Sequence, residues 1–263
     1  MSSSPSLHRI LVATTGGLGA SAALLTTGVG ARDALADGRA FAFSYDTSTM
    51  APGHLEYEQW VTWNDRYPDA SSLRSFDLRH ELEMGVHPRV QLALYLDWRY
   101  RTGGGIESDA EFEDVAAEVI YGMSNPVTDP LGSALYGEVR VGDEKVATEA
   151  KLLLDKKLAR WDLVWNGIVE SEWEEEGLAE REGELGQTLG ASFQLRPAIA
   201  VGFELAHFIE IEEWRHAEDS VVHAGPNLSL RHRLGWMTFA PLFQLTDTEQ
   251  PDVKLRWLVG IDL

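Results

Sequence analysis

The chain has no cysteine, so neither a disulfide framework nor a thiolate metal site is open to it. Basic residues are scarce as well: 22 Lys and Arg stand against 42 Asp and Glu, for a formal net charge of −20. Nucleic acid needs a basic footprint on its partner, and this balance excludes that class. After residue 36 no apolar run approaches the ~18 residues that mark a spanning helix. Catalytic spacings are missing too. His54, His80, His87, His207, His216, His223 and His232 are scattered, without HxH or HExxH, and no G-x-S-x-G occurs. The expectation is a protein that is not an enzyme and carries neither metal nor cofactor.

One apolar stretch does stand out. Ile10 to Ala31 is uncharged and rich in Leu, Val, Ala, Gly and Thr, behind a weakly basic His8-Arg9. Ala34-Leu35-Ala36 then has the small-x-small form of a signal-peptidase site, with Val29-Gly30-Ala31 as a second cleavage point. Residues 1–36 are expected to be a cleaved signal peptide and 37–263 the mature domain. A membrane protein without spanning helices must be a closed barrel.

The mature chain alternates. In Phe76 to Tyr100, residues Phe76, Leu78, Leu82, Met84 and Val86 form one face, with Asp77, Arg79, Glu81 and Glu83 on the other. After His87-Pro88-Arg89, Val90, Leu92, Leu94, Leu96 and Trp98 alternate with Gln91, Asp97 and Arg99. Period two on both sides of a turn reads as a β-hairpin, and each strand exceeds the globular mode of about 5–6 residues. His80 is the one polar residue in the apolar series. The same pattern recurs to the last strand, Val253 to Leu263. The fold class is all-β: a single antiparallel up-and-down transmembrane β-barrel of about 12 strands.

Residues 37–52 are expected to be a periplasmic lead-in. That places segments 64–72, 102–109, 171–183, 210–219 and 246–252 outside as loops, with 124–131 a long connection on the periplasmic side. The tryptophans and tyrosines Trp60, Trp63, Trp98, Tyr100, Trp161, Trp173, Trp236 and Trp257 suit aromatic girdles at the two interfaces. Val86 to Leu96 and Leu195 to Leu205 resemble one another, each with a Pro in the turn that enters a strand. Shared turn chemistry accounts for the likeness.

With the apolar series facing lipid, the inward series lines a lumen. It holds Glu56, Glu58, Asp77, Arg79, Glu81, Glu83, Asp97, Arg99, Glu118, Glu138, Arg140, Glu149, Lys151, Asp162, Glu204, Arg231 and Arg256. Acids are in excess, which points to a narrow porin-like passage for small solutes or cations. The alternatives are a structural barrel closed by salt bridges and a lipid-acting outer-membrane enzyme drawing on Ser192, His223, Asn227 or Ser229. A further alternative is a soluble exported barrel that binds a small apolar ligand. The acidic run from Glu170 to Glu184 reads as a solvated loop.

Particular residues add a resemblance. Phe43-Ser44-Tyr45-Asp46-Thr47, Pro52-Gly53-His54-Leu55-Glu56-Tyr57-Glu58-Gln59-Trp60, Leu78-Arg79-His80-Glu81-Leu82 and Asp129-Pro130-Leu131-Gly132 resemble uncharacterised Gram-negative outer-membrane barrel proteins over about residues 41–245. The resemblance implies a single-chain, porin-like or transporter-like barrel in the outer membrane. It carries over no site residue. The expected partners are outer-membrane lipid and lipopolysaccharide, with barrel-assembly machinery acting during insertion.

Overall fold

The structure is a computed structural model that describes residues 38–263 apart from Asp69 and Glu176. The leader expected over residues 1–36 lies outside the described residues. The strands are β1 (Leu55–Tyr67), β2 (Ala70–His87), β3 (Val90–Gly103), β4 (Ile106–Ser124), β5 (Gly132–Gly142), β6 (Lys145–Leu158) and β7 (Trp161–Glu174). Then come β8 (Glu180–Arg196), β9 (Ile199–Glu212), β10 (His216–Ala217), β11 (Val221–His232), β12 (Gly235–Gln244) and β13 (Val253–Asp262). β10 is a two-residue ladder on the end of β9. The other twelve pair antiparallel with their neighbours, and β13 pairs with β1 from Glu56↔Asp262 to Asp65↔Val253. The sheet is thereby closed, and the long strands have no free edge.

Which side faces lipid follows from burial. Leu82, Met84, Leu92, Leu94, Leu96, Val115, Val119, Val139 and Val141 are exposed on the outer surface. Glu81, Glu83, Ala93, Tyr95, Ala116, Glu118 and Glu138, which alternate with them, are buried inside. A soluble barrel requires the reverse, so this wall is a transmembrane one. Polar residues on the outer face satisfy one another. The Tyr57 hydroxyl lies 2.7 Å from Nδ1 of His80, and Gln187 Nε2 lies 3.1 Å from Nδ1 of His207. His80 therefore sits on the lipid face with its ring nitrogen partnered.

Aromatic side chains group toward the strand ends. Trp63, Phe76 and Tyr100 line up across β1, β2 and β3 with ring centroids 6.5 and 6.1 Å apart, and Trp161 meets Phe193 at 4.9 Å. Trp60 and Trp236 correct the girdle expectation because both turn inward and are buried. The reason is polar. Their indole N–H groups donate to Glu58 (2.6 Å) and Glu56 (2.9 Å).

The outer loops are shorter than expected. Tyr67 pairs with Ala70, Gly103 with Ile106 and Glu174 with Glu180, so 64–72, 102–109 and 171–183 are mostly strand. Polar side chains do not end a strand that still has a partner. Arg101 and Glu111 pair at 2.8 Å, and Lys145 reaches Glu172 and Glu174 at 2.8 and 3.0 Å. The 125–131 and 245–252 connections are loops, as the sequence suggests.

Candidate functional site: a lumen occupied by its own N-terminal segment

Residues 38–51 are not a periplasmic lead-in. They run inside the barrel, where Ala40, Phe41, Ala42, Ser44, Tyr45 and Thr47 are buried. A segment with no strand beside it still has backbone groups to satisfy. Glu204 of β9, which is fully buried, accepts three consecutive N–H groups: Ala42 (2.8 Å), Phe43 (2.8 Å) and Ser44 (2.9 Å). Asn227 Nδ2 donates to the same carboxylate at 2.9 Å. Asn166 clasps Tyr45 from both sides, accepting its N–H at 2.7 Å and donating to its carbonyl at 2.9 Å. Ser229 and Thr238 donate to the Arg39 carbonyl, and Met50 N–H donates to Gln91.

Small residues on the inner wall and on the segment itself make the space. A Cβ built on Gly190 would lie 2.6 Å from the Phe41 ring, and one on Gly38 would lie 2.4 Å from Trp236. At the middle, the Tyr45 ring carries the Arg39 guanidinium at 4.0 Å and the Lys151 ammonium at 4.4 Å, with Tyr136 packed edge-on at 5.3 Å. Asp46 feels burial most, which raises its pKa. Lys157 at 3.6 Å and the Ser48 N–H outweigh that and hold it below the usual carboxylate range.

The segment divides the lumen. An outer cavity of about 480 Å³ and an inner one of about 370 Å³ meet at Tyr45, which lines both. The outer cavity is walled by ten acidic and seven basic side chains. Among them Arg79 grips Asp97 with two bonds of 2.9 and 2.8 Å, and Arg99 bridges Asp77 (2.9 Å) and Glu113 (3.3 Å). Lys151 meets Glu149 at 2.8 Å, and Arg140 joins Glu138 (3.4 Å) to Glu170. Arg256 lies over Phe43, its guanidinium 4.1 Å from the ring centroid.

The acids also form a row. Glu118 pairs across the sheet with Glu138, Glu138 with Glu149, Glu149 with Glu170, Glu170 with Glu184 and Glu184 with Glu210. Like charges placed directly opposite destabilise a sheet, and ion pairs with Arg140 and Lys151 offset that repulsion at only Glu138, Glu149 and Glu170 among the described residues. The row also climbs. Glu118 is six residues from the Ser124 end of β4, whereas Glu210 is eleven from the Ile199 end of β9, which lies on the same side of the barrel.

The remaining expected lumen residues divide between two regions. Glu56, Glu58 and Glu83 line the inner cavity, and Glu81 and Glu118 are buried beside it. Asp162 holds Lys157 at 2.7 Å near the start of β7, and Arg231 lies at the same end of the barrel, near the end of β11; neither lines either of these two cavities. Glu204 is a tie for the internal segment rather than part of either cavity wall.

Charged and aromatic residues that the sequence did not place here include Arg39, Tyr45, Glu113, Asp114, Lys145, Glu170, Glu172, Glu184, Glu210 and Lys254. A signal for Glu170 and Glu172 was present: they continue the even-numbered inward series of Asp162, Val164 and Asn166.

The outer-membrane channel COG4313 from Pseudomonas putida F1 is similar in structure. Its TM-score is 0.58 at 11% identity, covering 83% of this chain and 98% of that one. The NanC porin is similar at a TM-score of 0.50 and 7% identity, covering 80% and 98%. At these identities the likeness is one of fold. No curated protein matches the sequence. A family model does match, over residues 33–250, and the chain belongs to that family, a family of unknown function (DUF6662).

Proposed function

We propose that the chain is a narrow outer-membrane channel for small solutes that favours cations and is closed at rest by its own residues 38–51. Export through the leader, insertion by barrel-assembly machinery and a surround of outer-membrane lipid and lipopolysaccharide belong to this reading. The observation that carries it is the in-register row from Glu118 to Glu210, five of whose six carboxylates line the outer cavity. Rows of carboxylates in a low-dielectric wall raise the local cation concentration and select for positive charge. Tyr45, flanked by Arg39 and Lys151, stands where a solute leaves this cavity.

The test is the reversal potential of the purified protein in planar bilayers under a KCl gradient. A cation-selective sign is expected. The Glu170→Gln/Glu184→Gln/Glu210→Gln protein should move it toward zero. Anion selectivity, or a triple variant identical to wild type, would refute the role of the row.

A second reading, a purely structural closed barrel, draws on the ion pairs Arg79–Asp97, Arg140–Glu138 and Lys151–Glu149 inside the lumen. It predicts no current even when the internal segment is removed. An enzymatic reading finds little support. Ser229 and Asn227 are engaged with the internal segment and its Glu204 tie, and His223 Nε2 donates to the Pro251 carbonyl at 2.8 Å.

A further inference from the structure

We propose that Glu81, Glu83 and Glu118 together bind a divalent cation of the calcium class in the inner wall of β2–β4. Glu83 and Glu118 both pair with Ala93 of β3, one from each side, and Glu81 pairs with the next inward residue, Tyr95. Ala93 is too short to fill the space between the carboxylates it separates. One oxygen from each of the three glutamates lies within 4.8 Å of the other two. Calcium takes oxygens at about 2.3–2.6 Å, so two oxygens sharing one ion can stand at most about 5 Å apart.

Proximity of acids alone would carry little. The second observation is that both oxygens of Glu81 have no hydrogen-bond partner although the residue is 1% exposed, and that Glu118, 3% exposed, has at most the Tyr136 hydroxyl beside it. A buried, unpaired carboxylate is among the costliest groups a fold can hold. The nearby cations are committed elsewhere, Lys151 to Glu149 at 2.8 Å and to the Tyr45 and Tyr136 rings. Arg79 makes its two bonds to Asp97, and Arg39 lies against Glu58 at 3.4 Å and over the Tyr45 and Trp60 rings. The adjoining Glu56 and Glu58 already receive the indole N–H groups of Trp236 and Trp60.

Three carboxylates offer up to six oxygens and no nitrogen or sulfur, a set that suits a hard cation. An entry path exists, because Glu83 lines the inner cavity with Glu56 and Glu58. The site comes from cross-strand neighbours on three strands, which spacing along the chain does not reveal. It does not depend on whether the barrel conducts.

The experiment is calorimetric titration of the EDTA-treated, detergent-folded full chain with CaCl₂, alongside thermal unfolding with and without the ion. One saturable site and a rise of several degrees in Tm are expected. Glu81→Gln/Glu118→Gln should weaken that site at least tenfold, and its Tm in EDTA should equal or exceed that of wild type because repulsion is relieved. Glu180→Gln/Glu182→Gln in the outer hairpin should leave binding unchanged.

A wild-type protein that takes up none of Ca²⁺, Mg²⁺ or Mn²⁺ saturably would overturn the proposal, as would a Glu81→Gln/Glu118→Gln protein that binds as wild type does. Should that variant not fold, Tb³⁺ titrated into wild type decides. Emission sensitised by the neighbouring tyrosines and displaced by Ca²⁺ supports the site, and its absence refutes it.

Discussion

Glu204 accepts three backbone N–H groups and one amide N–H while shielded from solvent. Hydrogen bonds to a charged group are worth about 1.5–3 kcal/mol each. Glu204→Gln removes the charge and turns an amide donor toward other donors, so residues 38–48 should loosen while the strands remain. Hydrogen exchange at Ala42, Phe43 and Ser44 should accelerate by about tenfold or more, the equivalent of about 1.4 kcal/mol. Unchanged exchange there would mean that the segment is held by packing alone.

Packing has its own probe in Gly190. Gly190→Val places a side chain where the Phe41 ring sits, 2.6 Å from a Cβ. The segment should become cleavable by added protease at Arg39, with the β-sheet circular dichroism retained. Alternation in the sequence identified Glu204 as inward. It did not identify the partner, because the partner lies some 160 residues away and binds through backbone N–H groups, which leave no mark on residue identity.

At the scale of elements, period two was enough to read about twelve long strands and which residues share a face; burial then settled which face meets lipid. Leu94, exposed and mid-strand between buried Ala93 and Tyr95, illustrates why: its side chain has only lipid to meet. Leu94→Arg should cost about 2–4 kcal/mol of barrel stability. Urea unfolding in lipid vesicles measures this, and a cost near zero would place Leu94 outside the hydrocarbon layer. Strand ends were less legible. Glu170, Glu172 and Glu174 look like a solvated run by charge, yet they pair with Glu184, Glu182 and Glu180 and continue β7 and β8 upward. Charge told of exposure to water and said nothing about pairing, which a neighbouring strand supplies. The lead-in at 37–52 failed for a related reason. Gly38 to Phe43 is apolar apart from Arg39, and its place in the lumen depends on the small inner residues Gly190, Ser229 and Thr238 of other strands.

At the scale of the whole molecule, a closed wall with an acidic row is occupied midway by a segment of the same chain. Closure rests on contacts from β3 (Gln91) to β12 (Thr238), so removing the segment should leave the β1–β13 seam and the wall intact. The direct test compares single-channel currents of a protein of residues 37–263 with those of one that also lacks residues 38–50. The truncated protein should show a conductance several-fold above that of the 37–263 protein, and its reversal potential should be cation-selective. A folded truncated barrel that passes no current, or one that passes anions in preference, would contradict a cation channel closed by its own N-terminal segment.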